Sequence, residues 1–319
     1  MRYNKVMQKV ESKRRTIRLF ITGLTMGVAD LVPGVSGGTI AFLFGIYDEL
    51  LYTIKLITGQ VPKLILERKF VEAFKLIPFA FIVPISSGIL ISIFGLVKIV
   101  SYLLETQPVL VWALFFGLVI GSVYAVSKRI TKWTLRHISL LVLGFALTYI
   151  IVGLPVIGGS SSPLAVFATG VIAITAMILP GISGSLIMVL LGQYEIVINA
   201  VASRDFVTLV FFASGAIVGL ALFVRLLTWL LKHYHFAVIA FLIGVMAGSL
   251  RRIWPWQDID TVGNSVNILP TMELSLLGPV VLAILGFVIV YLLERMGIAR
   301  EHDDIETKEF KKEMQEIEG

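Results

Sequence analysis

The feature that most constrains this chain is a helix-breaking motif that occurs twice. The copies read Pro33-Gly34-Val35-Ser36-Gly37-Gly38-Thr39 and Pro180-Gly181-Ile182-Ser183-Gly184-Ser185-Leu186, 147 positions apart. They match at eight of sixteen positions and both end in Gly-x-Tyr-acid, at 45–48 and 192–195. Proline removes a backbone donor and glycine adds backbone freedom, so neither copy can continue as a regular helix. The chain therefore breaks an apolar segment at two related places.

Composition places these breaks in a membrane. Hydrophobic residues make up 57% of the 319 residues and charged residues 15%, against about 25% charged residues in soluble domains. Several windows approach the roughly 20 apolar residues that a spanning helix needs. The sequence therefore predicts an all-α polytopic membrane protein.

The same composition removes several classes of chemistry. The chain has no cysteine, which excludes disulfides and thiolate catalysis. Its four histidines form no metal-binding pattern with acidic residues, and no Walker-type phosphate loop is present. We therefore expect no cofactor, no metal site, no nucleic-acid partner and no ATP hydrolysis, so that an ion or substrate gradient must drive any transport.

The apolar segments repeat in the same order in two halves. A basic tail (1–16) precedes the first repeat (17–157), and the second repeat (158–294) precedes a charged tail (295–319). The first repeat comprises a hairpin and three spans, at 17–52, 76–104, 108–127 and 137–157. The second comprises a hairpin at 164–201 and spans at 206–231, 235–250 and 273–294. Further matches occur at offsets of 127, as between Ser87-Gly88 and Ser214-Gly215, and of 142, as between Gly144 and Gly286.

The distribution of cations predicts the topology, because Lys and Arg accumulate in cytoplasmic loops. Seven lie between Arg2 and Arg18, up to the start of the first hairpin, and five follow the hairpin between residues 55 and 75. That hairpin therefore enters and leaves on the cytoplasmic side, with its turn at Pro33-Gly34. Continuing the path places 22 of the 27 cations inside, three outside and two within spans. The second hairpin then enters from outside at Pro180-Gly181, the halves form inverted-topology repeats, and both termini are cytoplasmic.

The two hairpin tips predict an anion site. Broken backbone at membrane depth needs protein or a water-filled cavity around it, so the tips should meet inside the protein. After each break Ser36 or Ser183 can cap the second arm, whose free N–H groups attract an anion such as phosphate. The predicted phosphate-binding residues of the tips are Ser36, Gly37, Gly38, Thr39, Ser183, Gly184 and Ser185. The alternative reading of both motifs is a tight, packed turn.

Three charged residues extend this hypothesis. Lys98 and Arg225 correspond at the offset of 127, and each either pairs with the phosphate or extends to the lipid headgroups. Asp30 lies three residues before the first break and corresponds to Met177 in the second half. Its carboxylate is a candidate for coupling to a proton or sodium ion, and equally a candidate brace for the hairpin tip.

The motifs also carry a family resemblance. Ala29-Asp30 before the first motif, Gly45-Ile46-Tyr47-Asp48-Glu49 after it, and Ala176 to Ser185 in the second half resemble the bacterial PopT family of polyprenyl-phosphate translocases. The resemblance covers essentially the whole chain. It implies that the substrate is undecaprenyl phosphate, which returns from the outer to the inner leaflet of the bacterial cytoplasmic membrane for reuse in cell-wall synthesis. The oligomeric state does not follow from it.

Two other classes of function remain open from the sequence. Undecaprenyl-pyrophosphate phosphatases of the BacA type also combine inverted repeats with Pro-Gly-x-Ser motifs. That chemistry needs an arginine and nearby glutamates, whereas Gly37 and Gly184 follow the serines here. A secondary transporter or channel for small anions is the third reading, because the sequence does not set the width of the pocket.

Overall fold

The computed structural model describes residues 2–31, 36–156, 158–259, 265–270 and 274–295, and nearly all of them are helical. Pro33, Gly34 and the tail residues 296–319 lie outside this set. The first half contains α1 (Arg2–Leu31), α2 (Gly37–Leu43), α3 (Tyr47–Lys55), a π-helical turn (Leu56–Gln60), α4 (Val61–Leu66), α5 (Phe70–Leu76), α6 (Phe79–Thr106), α7 (Pro108–Ser127) and α8 (Leu135–Ile151). The second contains α9 (Pro163–Ile178), α10 (Gly184–Leu190), α11 (Tyr194–Ser203), α12 (Phe206–Ser249), β1 (Gln257–Ile259), β2 (Ser265–Asn267), a 3-10 turn (Leu274–Leu276) and α13 (Leu277–Arg295).

The chain is a mostly helical, polytopic membrane protein. Within the described ranges, three helical segments are long and apolar enough to cross a membrane, namely Phe79–Leu96, Pro108–Ser127 and Phe206–Ser249. The helices α8, α9 and α13 contribute shorter apolar segments. Two of the bounds expected from the sequence recur closely, since α7 covers 108–127 and α9 begins one residue before 164. Helix α1 starts at Arg2, so the segment expected as a separate tail is helical and continuous with the first arm.

The second arm of each hairpin differs from the expected continuous segment. The structure divides 37–52 into α2 and α3, and 185–201 into α10 and α11. The turns between them contain Gly45 with φ 74° and Gly192 with φ 64°, a backbone region that glycine adopts without the steric cost of a side chain. The axes of α10 and α11 differ by 112°. Each motif serine is therefore followed by only seven residues of helix before the chain turns.

The predicted spans 206–231 and 235–250 are two helices that meet at a kink without an intervening loop. They form one 44-residue helical stretch in which Tyr234 leaves helical geometry, with φ −135° and ψ 40°. No glycine or proline lies near this point of the sequence. A single residue outside helical geometry is enough to interrupt the ladder of hydrogen bonds between the two helices.

The chain divides into two compact units. The first, which we call the motif unit, comprises Met1–Ile40, Leu50–Thr106 and Val156–Trp229. In it, Gly23 and Gly27 of α1 pack against Ile85 and Ile89 of α6. The glycines lack Cβ atoms, which allows such close backbone approach. Contacts advance in the same direction along both helices, so α1 and α6 are parallel.

The other helix pair of the motif unit repeats this arrangement. Gly215 and Gly219 of α12 pack against Phe167 and Val171 of α9. The contact again advances in the same direction along both chains, so α9 and the first part of α12 are parallel. The glycine contacts of the two helix pairs correspond. Gly23 contacts Ile85. Gly170, which lies 147 residues after Gly23, contacts Phe212, which lies 127 residues after Ile85.

The second unit comprises Ala41–Glu49, Gln107–Pro155 and Leu230–Gly319. In one helix pair, Gly117 and Gly121 of α7 approach Ala283 and Phe287 of α13. In the other, Gly244 and Gly248 of α12 approach Leu141 and Phe145 of α8. Both pairs are parallel. Their contacts correspond at offsets of 127 for the glycines and 142 for their partners, which are the offsets of the sequence matches.

Candidate functional site

The first motif is held by its own serine. Ser36, which is buried, accepts a hydrogen bond from the Gly38 N–H at 3.1 Å and donates one to the Met177 carbonyl at 3.2 Å. The first bond is the N-cap expected at the start of α2. The second extends to the segment before the other motif, 141 residues away. The single Ser36 hydroxyl hydrogen is therefore used within the protein.

The Asp30 carboxylate binds the Gly37 N–H, one of the amides that the sequence predicts for anion binding. Its Oδ1 accepts a hydrogen bond from the Gly37 N–H at 2.7 Å. A Cβ atom on Gly37 would lie 2.7 Å from Oδ2 of the same carboxylate, so a larger residue at this position would have to displace the Asp30 side chain. The contact shows Asp30 bracing the tip, and it also places a carboxylate where the phosphate is expected.

The two motifs contact each other directly. Thr39 Oγ1 accepts a hydrogen bond from the Gly181 N–H at 2.8 Å, and both groups are buried. A Cβ atom on Gly38 would lie 2.9 Å from the Ile178 carbonyl oxygen. Gly181 has φ 97°, a value that L side chains rarely adopt. The tips therefore meet by close backbone approach, as the broken apolar segments lead us to expect.

The second motif leaves its hydroxyl groups less committed than the first. Ser183 and Ser185 share one hydrogen bond of 2.7 Å between their Oγ atoms. Ser183 makes no side-chain cap to α10, so the cap expected there is absent. One bond joins two O–H groups, and within the described residues the second hydrogen has no acceptor. That donor is available to a ligand.

Lys98 and Arg225 lie apart from the motif contacts. Both side chains are exposed, Lys98 on α6 and Arg225 on α12. A Cβ atom on Gly59 would lie 3.3 Å from Nη2 of Arg225, which places this guanidinium beside the π-helical turn. Within the described residues, no hydrogen bond or ion pair joins either cation to a motif. The structure therefore brings the two motifs together but not the two cations.

Gln193 is a polar residue at the second hairpin that the sequence analysis missed. It is 3% exposed, and its Nε2 donates to the Ser160 carbonyl at 2.7 Å. Its Oε1 is buried and, within the described part of the chain, has no hydrogen-bond partner. The equivalent residue in the first half is Ile46. The sequence does contain a signal for Gln193, because an amide side chain replaces an apolar one within the repeated Gly-x-Tyr-acid segment.

Comparison with known proteins gives consistent results. Residues 26–270 match a family described as undecaprenyl phosphate translocase-like. A polyprenyl-phosphate transporter of Vibrio cholerae is 39% identical over 255 residues, which cover 78% of this chain and 83% of the relative. A protein of the same description from Staphylococcus aureus is 29% identical over 299 residues, covering 88% of this chain and 97% of the relative. No solved structure matches this chain.

Proposed function

Because this chain belongs to the undecaprenyl phosphate translocase-like family, we propose that it carries undecaprenyl phosphate from the outer to the inner leaflet of the bacterial cytoplasmic membrane. The observation that carries the proposal is the direct contact between two broken-helix motifs whose hydroxyl and amide groups face each other. The relatives are transporters and not enzymes, and the chain belongs with them. The phosphatase reading of the sequence is therefore not retained.

The topology of the proposal is two inverted repeats with re-entrant hairpins. A hairpin that returns to its side of entry makes the first arm and the following span parallel, whereas a full crossing makes them antiparallel. The parallel packing of α1 with α6, and of α9 with α12, supports the re-entrant path. The same path directs α7 and α13 inward and α8 and the end of α12 outward, in agreement with their parallel pairing. Both termini are then cytoplasmic.

The motif tips supply what a phosphate needs to leave water. An unpaired charge costs many kcal/mol to place in hydrocarbon, so fixed donors must replace its hydration while the polyprenyl tail stays in lipid. Ser183 and Ser185 present an uncommitted hydroxyl hydrogen beside Gly184. The first tip presents the Gly37 and Gly38 amides with Ser36 and Thr39. Each tip serves one leaflet in turn, in the alternating scheme of inverted-repeat transporters.

The exposed cations act at the membrane surfaces. In the proposed topology α6 runs outward, so Lys98 lies toward the outer leaflet, and α12 runs inward before Tyr234, so Arg225 lies toward the inner leaflet. Long cationic side chains near helix ends reach the headgroup region. Lys98 then receives the phosphate from the outer leaflet, and Arg225 pairs with it on release.

Asp30 couples the cycle to a cation. Its carboxylate and the substrate phosphate compete for the Gly37 amide, because both are anions that accept from one N–H. Binding of phosphate displaces the carboxylate, which then takes up a proton or a sodium ion. Met177 stands at the equivalent place in the second half, so only one tip carries this ion.

A leaflet-resolved assay tests the function. Purified protein in liposomes should make fluorescent polyprenyl phosphate accessible to a quencher on the opposite side, and protein-free liposomes should not. Ser183→Leu should abolish this movement, and Ser139→Leu, on the exposed face of α8, should leave it intact. Flux of soluble phosphate without movement of the lipid would instead favour a small-anion transporter.

A further inference from the structure

The segment between the first hairpin and α6 has no counterpart in the second half. The repeat offset is 147 at the motifs and 127 at α6 and α7, so the first half contains 20 additional residues between the motif and α6. They correspond to 57–76, which we call the insertion. In the second half, only Arg204 and Asp205 separate α11 from α12.

The insertion folds as a short helical hairpin. Pro62 lies in the first turn of α4, where its missing N–H costs nothing. The turn after α4 places Arg68 at φ 59°, and Lys69 N–H donates to the Leu64 carbonyl at 2.9 Å. The chain then continues as α5. The backbone is therefore ordered by its own hydrogen bonds, which gives its side chains defined faces.

One face of this hairpin exposes large apolar side chains. Leu66 is 85% exposed, Val71 68%, Phe74 65% and Phe70 62%. On α5, Phe70, Val71 and Phe74 fall within an arc of about 100°, because each residue advances the helix by that angle. Ala73 lies outside this arc and is buried. The insertion therefore presents its apolar face away from the protein.

Cations surround this face. The insertion carries Lys63, Arg68, Lys69 and Lys75 against Glu67 and Glu72, and all six are exposed. Lys69 and Glu67 form an exposed ion pair of 3.0 Å, which leaves three cations and one carboxylate outside that pair. Lys75 follows Phe74 directly, so its stem can lie along the apolar face while its ammonium reaches polar groups. The surface is both apolar and net positive.

We propose that the insertion lies in the headgroup region of the cytoplasmic leaflet, with its apolar side chains between lipid chains and its cations on anionic headgroups. The inference rests on the membrane topology proposed above. Amphipathic helices with apolar and basic faces bind such surfaces through both terms. The insertion is tied at both ends to helices of the motif unit, and Gly59 at its start packs against Arg225. A net positive charge fits an anionic lipid surface.

The absence of cysteine allows a direct test on the full chain. Leu66→Cys and Ser203→Cys are labelled with an environment-sensitive fluorophore and placed in nanodiscs of phosphatidylcholine with or without phosphatidylglycerol. Ser203 is exposed at the end of α11, where the second half lacks the insertion. At position 66 we expect blue-shifted emission and quenching by headgroup-proximal spin labels, severalfold above position 203. Both signals should increase with phosphatidylglycerol and decrease with salt.

Three results overturn the inference. The first is water-like emission at position 66 in both lipid mixtures. The second is blue-shifted emission that persists in detergent and rises with protein concentration, which indicates a second copy of the chain. The third is quenching of the label at position 66 by a membrane-impermeant agent, when the agent is added only to the side of the vesicles that corresponds to the cell exterior. A triple variant with Leu66→Cys, Phe70→Ser and Phe74→Ser should lose the lipid quenching. These readouts do not depend on transport, so failure of the lipid assay leaves them interpretable.

Discussion

The two copies of the motif share a sequence pattern but differ in how their polar groups are used. In the first, Asp30 holds the Gly37 amide and Ser36 bonds the Met177 carbonyl. In the second, Ser183 and Ser185 bond each other. One copy is closed by protein groups, and the other keeps a donor for a ligand. A repeated motif therefore does not imply two equal sites in one conformation.

The difference follows from a few substitutions between the halves. Asp30 corresponds to Met177, and Thr39 corresponds to Leu186. Only the first half can therefore supply a carboxylate to its own tip and a hydroxyl acceptor to the other tip. The second half has Ser185 where the first has Gly38, which provides the hydroxyl that bonds Ser183. The following predictions separate these roles.

Separation of the two tips should have the largest effect on transport and stability. Gly38→Leu places a side chain within 2.9 Å of the Ile178 carbonyl oxygen, and overpacking of this kind costs about 1–3 kcal/mol. We expect loss of polyprenyl-phosphate translocation and a lower melting temperature in detergent. Gly95→Leu is the control, because a Cβ atom there has nothing within 4 Å. Equal translocation by the two variants would show that tip contact is dispensable.

Removing the carboxylate should abolish coupling. One cation moving through a potential of about 100 mV contributes about 2.3 kcal/mol, which corresponds to an accumulation ratio above tenfold. With an imposed gradient, wild-type protein should accumulate the lipid in one leaflet, whereas Asp30→Asn should only equilibrate it. Glu105→Gln, at the exposed end of α6, should behave as wild type. Gradient-driven accumulation by Asp30→Asn would leave the carboxylate with the bracing role alone.

The serines should separate transport from stability. The double variant Ser183→Ala, Ser185→Ala removes both partners of one hydrogen bond, which is nearly neutral for folding. Loss of a hydrogen bond to a charged group costs about 1.5–3 kcal/mol, so translocation should fall about tenfold or more. Ser36→Ala should instead lower the free energy of unfolding by about 1–2 kcal/mol, as loss of a cap does. Translocation rates and thermal melts measure the two effects. If Ser36→Ala lowered translocation and the double variant lowered only stability, the roles that we assign to the two motifs would be reversed.

Loss of the bond between the tips should lower stability without the steric clash that Gly38→Leu adds. Thr39→Val keeps the side-chain shape but leaves the buried Gly181 N–H unpaired, which costs about 1–3 kcal/mol. The melting temperature should fall modestly. Thr175→Val is the control, because the Thr175 hydroxyl bonds the Ile172 carbonyl of its own helix. If both variants melt alike, the Thr39 bond does not hold the tips.

The sequence was sufficient for the segments and for the contact between tips. Long apolar windows predict α6, α7 and α9, because burial in lipid leaves few alternatives to a helix. The Pro-Gly pairs predict breaks, and broken backbone at this depth needs another polar segment nearby. The bond between Thr39 and Gly181 satisfies that need. The family also followed from the motifs.

The details that escaped prediction depend on contacts between distant residues. The break at Tyr234 falls between the predicted spans 206–231 and 235–250, but the sequence does not reveal that a single residue makes it. The turns at Gly45 and Gly192 lie in the repeated motif, but the sequence does not reveal that they divide the arm. The partner of Ser183 depends on which hydroxyl group lies within hydrogen-bond distance in the folded protein. Gln193 bonds a carbonyl of a loop that lies 33 residues earlier in the chain. Local patterns do not contain these choices.

The insertion also bears on how the chain enters the bilayer during synthesis. The inverted halves that we propose would give the chain two orientations of similar hydrophobicity, so the translocation machinery would need another cue. Lys and Arg near apolar segments supply that cue, and the insertion adds four of them to one half. Its corresponding turn in the other half has only Arg204. In the proposed topology, the extra residues thus mark the end of the molecule that is retained in the cytoplasm.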